Sequence, residues 1–170
     1  MQNLIKLTKD KLVQHHEVKD GTRTLQFEGE LLGSSSSEEP GKSRWVEFAL
    51  YKTRRGQYII SRVGISITYH TEQCSTVVRN RLSLVSEREI PPYYIPCANC
   101  KPQRLIDDLY PETPRYWAQV SESARGVISL LMKYDENDVA YLTNVAKNLL
   151  ETSAVQDIDI YNAYSINFIE

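Results

Sequence analysis

The chain has 170 residues, of which 41% are hydrophobic and 25% charged, and a net charge of −2 at pH 7. That is the composition of one ordinary globular domain with a sizeable core, and it excludes a low-complexity or strongly charged disordered chain. No apolar run of about 18 residues is present to span a bilayer, the opening Met1-Gln-Asn-Leu-Ile-Lys lacks a basic-then-apolar export pattern, and an odd count of three cysteines suits a reducing compartment, so a cytoplasmic protein without membrane contact is expected.

Leu4–Leu7 and Leu12–Val18 are short strand candidates. His15-His16 fall in the second. Neighbours on a strand point to opposite faces, so this pair cannot chelate one ion. Asp20-Gly21 is a hairpin turn signal. Over Thr22–Leu32, Leu25, Phe27, Gly29 and Leu31 alternate with Thr24, Gln26, Glu28 and Glu30, which predicts a strand with one buried and one wet face. Gly29 inside it implies a bulge or a close backbone approach. Glu28 and Glu30 share the wet face with no neighbour to support acid–base chemistry. Gly33–Gly41, rich in serine and glutamate, is expected to be a mobile loop.

Arg44–Tyr51 and Gln57–Tyr69 predict the next hairpin, with Gly56 supplying a positive φ at the turn. Val46, Phe48 and Leu50 share one face of the first arm, and Trp45, Glu47, Ala49 and Tyr51 the other. Ile59, Val63, Ile65, Ile67 and Tyr69 share a face of the second arm. Ser75 can cap a helix over 76–86 with Val78, Leu82 and Val85 inward. Pro91-Pro92 ends whatever precedes it, and Pro102 suits the first position of a short helix, Gln103–Tyr110. Arg115–Tyr134 reads as helix, at least from Glu122, with a stripe of Ala124, Val127, Ile128 and Leu131. Asp135 can cap a second helix, Glu136–Thr152, with Val139, Leu142, Ala146 and Leu149 inward. The tail Ile158–Ile169 alternates at Tyr164, Ile166 and Phe168, which predicts a late strand at a sheet edge.

All three cysteines lie in one stretch. It reads His70-Thr-Glu-Gln-Cys74, then twenty-two residues, then Cys97-Ala-Asn-Cys100. One imidazole and three thiols are the ligand count of a closed tetrahedral zinc site. The Cys-x-x-Cys knuckle supplies two donors from one turn, and His-x-x-x-Cys at a strand end supplies the others. Four protein ligands leave no open position, so such a zinc would be structural. Two alternatives stand beside it. The thiols are either small buried hydrophobes, or Cys97 and Cys100 form a redox dithiol ahead of a helix, though a redox motif normally sits in a βαβ setting.

The charge is segregated. Residues 42–104 carry eleven Lys/Arg against four Asp/Glu, and residues 105–170 four against eleven. Either the acidic part folds back onto the basic middle or the middle faces a polyanion. Lys52, Arg54, Arg55 and Arg62 lie on or near the second hairpin with Tyr51 and Tyr58 interleaved, and Arg79, Arg81, Lys101 and Arg104 follow. Guanidinium groups neutralise phosphates and aromatic faces stack on unpaired bases. Ordinary strand packing of the same aromatics is the alternative. Asp107-Asp108 and Asp157-Ile-Asp159 are isolated acidic pairs without a metal-site partner. Gly-rich phosphate loops, nucleophile elbows and His-Glu-x-x-His are missing from the sequence.

These readings predict a single α+β domain. Residues 1–70 would form an antiparallel meander of four to five strands, 71–104 a zinc-knuckle-like crossover, and 105–170 an acidic antiparallel helix pair. The expected function is a non-enzymatic binding or accessory module with a structural zinc, contacting nucleic acid or an acidic protein surface within a larger assembly. The alternatives are a protein-interaction subunit without nucleic-acid contact, using Tyr93-Tyr94 and the acidic helices, and a thiol–disulfide protein using Cys97 and Cys100.

Overall fold

The computed structural model describes residues 13–72, 74–100 and 108–167. The strand candidate Leu4–Leu7 and the basic residues Lys101 and Arg104 lie outside the described residues. In chain order the elements are β1 (Gln14–Asp20), β2 (Arg23–Ser36), β3 (Arg44–Thr53), β4 (Tyr58–Ser66), β5 (Thr68–His70), α1 (Ser75–Arg79) and β6 (Val85–Ser86). After a turn of 3-10 helix, Glu87–Glu89, come β7 (Ile95–Pro96), β8 (Asp108–Pro111), β9 (Arg115–Ser121), α2 (Ala124–Leu131), β10 (Lys133–Tyr134), β11 (Ala140–Tyr141), α3 (Asn144–Gln156) and α4 (Ile158–Asn167). The fold is α+β, with an antiparallel five-stranded sheet and a C-terminal helix pair. No helix among the described residues is long and apolar enough to cross a membrane.

The chain divides into two compact units. The first comprises Met1–Ser37, Val46–Val63 and Tyr116–Glu170. Its sheet has the order β1-β2-β3-β4-β9. Asp20-Gly21 makes the predicted turn between β1 and β2, with Gly21 at φ +59°. The same turn reaches the far edge of the sheet. Gly21 N–H donates to Tyr116 O at 2.9 Å, and Ala118 N–H to Asp20 Oδ1 at 3.3 Å, so the sheet curls until its first and last strands meet. Alternation along β4 separates two cores. Tyr58 and Ile60 point to the main one, with Leu32, Phe48 and Leu50 from β2 and β3 and the buried stripes of α2, α3 and α4. Ile59 points the other way, to a small cluster with Val18 and Ala118, flanked by Leu25, Phe27 and Tyr51. Each fully buried aliphatic chain contributes about 1.5–3 kcal/mol, which makes the main core the chief source of this unit's stability.

Several expected elements form differently. β2 runs on through Gly33–Ser36, where a loop is expected. A register shift between Leu31 and Gly33 turns Leu31 outward, 49% exposed, and Leu32 into the core, 3% exposed. The serines stay in the strand because they are paired: Ser34, Ser35 and Ser36 face Ala49, Phe48 and Glu47, and Ser35 Oγ donates to Val145 O at 2.8 Å. Gly29 is the close approach expected of it. A Cβ there would lie 2.9 Å from Thr53 Cα and closer still to Lys52 O. Both obstacles are main chain in a paired strand, so Gly29→Ala is expected to cost about 2–3 kcal/mol, read as a shift of the urea midpoint. A midpoint equal to wild type would show that the strand can yield there.

Arg115–Ser121 is strand β9 rather than helix, because Trp117 and Val120 favour extended backbone and the stretch closes the sheet. The helix begins after it, capped by Ser123, whose hydroxyl accepts from Gly126 N–H at 3.0 Å. Its stripe of Ala124, Val127, Ile128 and Leu131 is buried as expected. Asp135 does not cap a helix. Its Oδ1 accepts from Asn137 and Val139 N–H and closes the turn of a β10–β11 ribbon, with Asp138 at φ +59° and Val139 57% exposed. Thr143 is the cap of α3 instead. The tail is helix α4 rather than a strand. Asp157 caps it, and Ile160, Ala163 and Tyr164 recur at helical spacing against the core.

The second unit comprises Glu38–Trp45 and Gly64–Arg115. Its sheet has the order β6-β8-β5-β7. β8 is antiparallel to β5 and to β6, while β7 is parallel to β5. The predicted helix over 76–86 stops at Arg79, since Asn80 and Arg81 leave helical geometry and Arg81 adopts φ +51°. Val77 takes the inward position, and Val78, expected inside, is 79% exposed. Asp108–Tyr110, expected at the end of a helix, is strand paired to β5 and β6.

Candidate metal centre

Strand β5 carries the site. His70 is its last residue, lies between β8 and β7, and is 1% exposed. The chain then turns, with Cys74 N–H donating to Thr71 O at 3.0 Å, and Cys74 becomes the cap residue of α1. The knuckle arrives on the neighbouring strand. Cys97 N–H donates to Tyr69 O at 2.9 Å, and Cys100 N–H returns to Cys97 O at 3.1 Å, the tight turn that brings the two thiols together.

The Nδ1 of His70 and the three sulfurs all lie within 4.8 Å of one another, so His70, Cys74, Cys97 and Cys100 are close enough to hold a metal ion. His70 Nδ1 is 3.4 Å from Cys74 Sγ and 3.6 Å from Cys100 Sγ. Zn–N and Zn–S bonds of ~2.05 and ~2.3 Å meeting at a tetrahedral angle place N and S about 3.6 Å apart. These two edges of the cluster already have nearly the length they would have around a bound ion.

Two of the thiols, Cys74 and Cys100, share a hydrogen bond. Cys74 is pulled down to about 6, first by its hydrogen bond with Cys100, and then by the hydrogen bonds at Thr76 and His70 that outweigh its burial. Cys100 is pushed up to about 11, first by burial and then by sharing that bond with Cys74. The shared bond thus favours a thiolate at Cys74 and a thiol at Cys100.

Sequence reasoning misses two further members. Glu112 Oε1 lies 2.8 Å from His70 Nε2, and the Arg44 guanidinium binds the same oxygen. Burial pushes the Glu112 carboxyl up, but hydrogen bonds from Ser66, His70 and Arg44 outweigh it and hold the group below its usual range. An ionised carboxylate only accepts, so Nε2 carries a ring proton, and Nδ1 is the nitrogen turned to the sulfurs. No spacing rule could have found Glu112, which lies forty-two residues from His70 and reaches it through strand pairing.

Of the described residues expected to bind a polyanion, Tyr51, Lys52, Arg54, Arg55, Tyr58 and Arg62 belong to the first unit and Arg79 and Arg81 to the second. Lys52 Nζ is 2.7 Å from Asp157 Oδ2 and sits over the Tyr58 ring. Tyr58 is buried and donates to Asp157 Oδ1 at 3.0 Å. Tyr51 packs edge-on against Phe27 and beside His16. Both aromatics thus belong to the packing of the sheet. Arg54 and Arg55 are exposed at the β3–β4 turn, with Arg54 paired to Glu28 at 3.1 Å. Arg62 is half-buried on β4, and Arg79 and Arg81 are exposed in the second unit. His15 and His16 do face apart, as strand geometry requires. A comparison of the chain with protein-family models, curated proteins and solved structures finds no match.

Proposed function

We propose that the chain is a non-enzymatic binding module whose second unit is stapled by a structural zinc ion, held by His70 Nδ1 and the thiolates of Cys74, Cys97 and Cys100. The observation that carries this reading is the complete donor set: one nitrogen and three sulfurs, mutually within 4.8 Å and supplied by two turns and a strand end. One imidazole and three thiolates suit zinc, and four protein donors fill its tetrahedral shell, which leaves the ion to hold the fold rather than to activate water. The redox alternative is less well supported, because Cys97 and Cys100 both converge on His70 and Cys74 rather than standing as an isolated dithiol. Metal analysis of protein purified without added zinc tests the reading. One equivalent of zinc per chain is expected, and its absence from Cys74→Ser would tie it to this site. Metal-free wild type that also refuses added zinc would defeat the proposal.

The binding surface we propose is the exposed pair Arg54 and Arg55 on the β3–β4 turn of the first unit. The Arg54–Glu28 pair is exposed at both ends and so is worth little to the fold. It can be exchanged for a phosphate. Because Tyr51 and Tyr58 are committed to packing, contact with phosphates rather than stacking on bases is the mode this surface supports. Filter binding to single- and double-stranded nucleic acid at two salt concentrations is expected to show little preference between them and a steep salt dependence. Replacing Arg54 and Arg55 by Gln is expected to lower the log–log salt slope by about 1–2. An acidic protein surface becomes the better ligand class if no binding is seen at low salt.

A further inference from the structure

We infer that Glu112 and Arg44 are positioning residues of the metal centre, with the Glu112 carboxylate fixing which His70 nitrogen binds the ion and Arg44 holding that carboxylate in place. This rests on the zinc reading and deepens it.

The placement is built by the sheet. Tyr69 and His70 pair with Pro111 and Tyr110 across β5 and β8, and Glu112 N–H donates to Thr68 O at 2.9 Å. That register sets Glu112 opposite Thr68, two residues before His70. Side chains two apart on a strand share a face, so Glu112 and His70 are diagonal neighbours, within reach of a long side chain. The carboxylate is almost enclosed, its side chain 11% exposed, while the arginine that meets it is 64% exposed. An enclosed carboxylate beside a fully enclosed imidazole is costly unless both keep strong partners. Here each has one on either side: sulfurs at Nδ1, Glu112 at Nε2 and Arg44 beyond. The ring cannot rotate to offer Nε2 to the sulfurs without breaking the 2.8 Å bond.

The consequence is a site ordered before metal arrives. A ligating imidazole whose other N–H is held by a carboxylate is oriented and made more basic, and loss of such a partner typically costs about 10–100-fold in metal affinity. Arg44 acts one step further out, and its loss should weaken binding less.

The test is chelator competition for zinc and cobalt in the full chain, comparing wild type with Glu112→Gln, Glu112→Asp and Arg44→Gln. Nitrogen-15 NMR of His70 in the zinc-loaded wild type accompanies it. The expected result is one metal per chain in every variant and unchanged thiolate-to-cobalt absorption. Affinity should fall about 10–100-fold for Glu112→Gln, by less for Arg44→Gln, and recover in part for Glu112→Asp. The ring should show a metallated Nδ1 and a protonated Nε2. A Glu112→Gln affinity within twofold of wild type, or a metallated Nε2, overturns the inference while leaving the zinc reading intact. Wild type that takes no metal overturns both. If Glu112→Gln does not fold, the ring assignment in wild type and the Arg44→Gln affinity decide the matter.

Discussion

Stripping the proposed zinc is expected to melt the second unit and spare the first. The reason is how unevenly apolar burial is distributed. Among the described residues, the buried hydrophobic side chains of the second unit are Val77, Cys100 and Leu109, whereas the first unit holds Leu50, Ile60, Val127, Leu149, Leu150 and Ile160 in the least exposed class and many more around them. Strands of two to four residues and a five-residue helix cannot compensate. A segment with so little core needs a staple, and a structural zinc supplies about 10–16 kcal/mol of apparent binding free energy at neutral pH. Hydrogen exchange measured with and without a strong chelator reads this directly. Amides of β5, α1, β7 and β8 should lose protection by several orders of magnitude, while those of α3 and α4 keep theirs. Cys100→Ser should imitate the chelator, since it removes the most buried thiol, 6% exposed. Equal protection in the two states would show that the second unit stands without metal and that the thiols are merely packed.

The four donors were legible in the sequence because ligand chemistry is local in composition. Three cysteines and a histidine confined to thirty-one residues form a pattern that needs no knowledge of the fold. Glu112 and Arg44 were illegible because their roles exist only through β5–β8 pairing and the return of the chain to Arg44. The antiparallel strands were legible wherever one face packs inward, as at Leu25, Phe27, Phe48 and Leu50, for then alternation is enforced. Legibility failed at Ser34–Ser36, where composition says loop but pairing to β3 prevails. Past Pro111 the boundary moves from Asp135, the expected cap, to Thr143, because the Asp135 carboxylate closes the β10–β11 turn instead. The acidic segment does fold back on the basic one at particular points, Asp157 on Lys52 and Glu112 on Arg44, so part of the charge segregation is consumed inside the units.

The Asp157 contact is where the first unit should be most sensitive to a single side chain. Asp157 ends α3 and opens α4, and its side chain is 4% exposed. Oδ1 accepts from Ile160 N–H and Tyr58 O–H, each at 3.0 Å, and Oδ2 accepts from Lys52 at 2.7 Å. Replacing it by Ala removes a helix cap, worth about 1 kcal/mol, and leaves a part-buried ammonium and a buried phenol without their partner. Breaking a buried pair costs about 3–5 kcal/mol. Lys52 is 28% exposed and recovers some hydration, so Asp157→Ala is expected to cost about 3–4 kcal/mol in all, or roughly 10 °C in melting temperature. Asp157→Asn keeps the cap oxygen and should cost about half as much. The same cluster contributes at both ends of the pH range. Burial pushes the Asp157 carboxyl up, but Lys52, Ile160 and Tyr58 hold it below 3.8, so its contribution is complete above that value and disappears as pH falls through the lower folded value. Tyr58 is pushed up to about 12, chiefly by burial, so its contribution is complete below 10 and is lost as pH rises toward 12. A melting-temperature profile should therefore fall at both ends in wild type, and the acid limb should flatten in Asp157→Asn. If Asp157→Ala melts within 2–3 °C of wild type, about 1 kcal/mol for a chain of this size, then the joint between α3 and α4 is held by the apolar packing of Leu149, Leu150 and Ile160 alone, with no contribution from the buried charge.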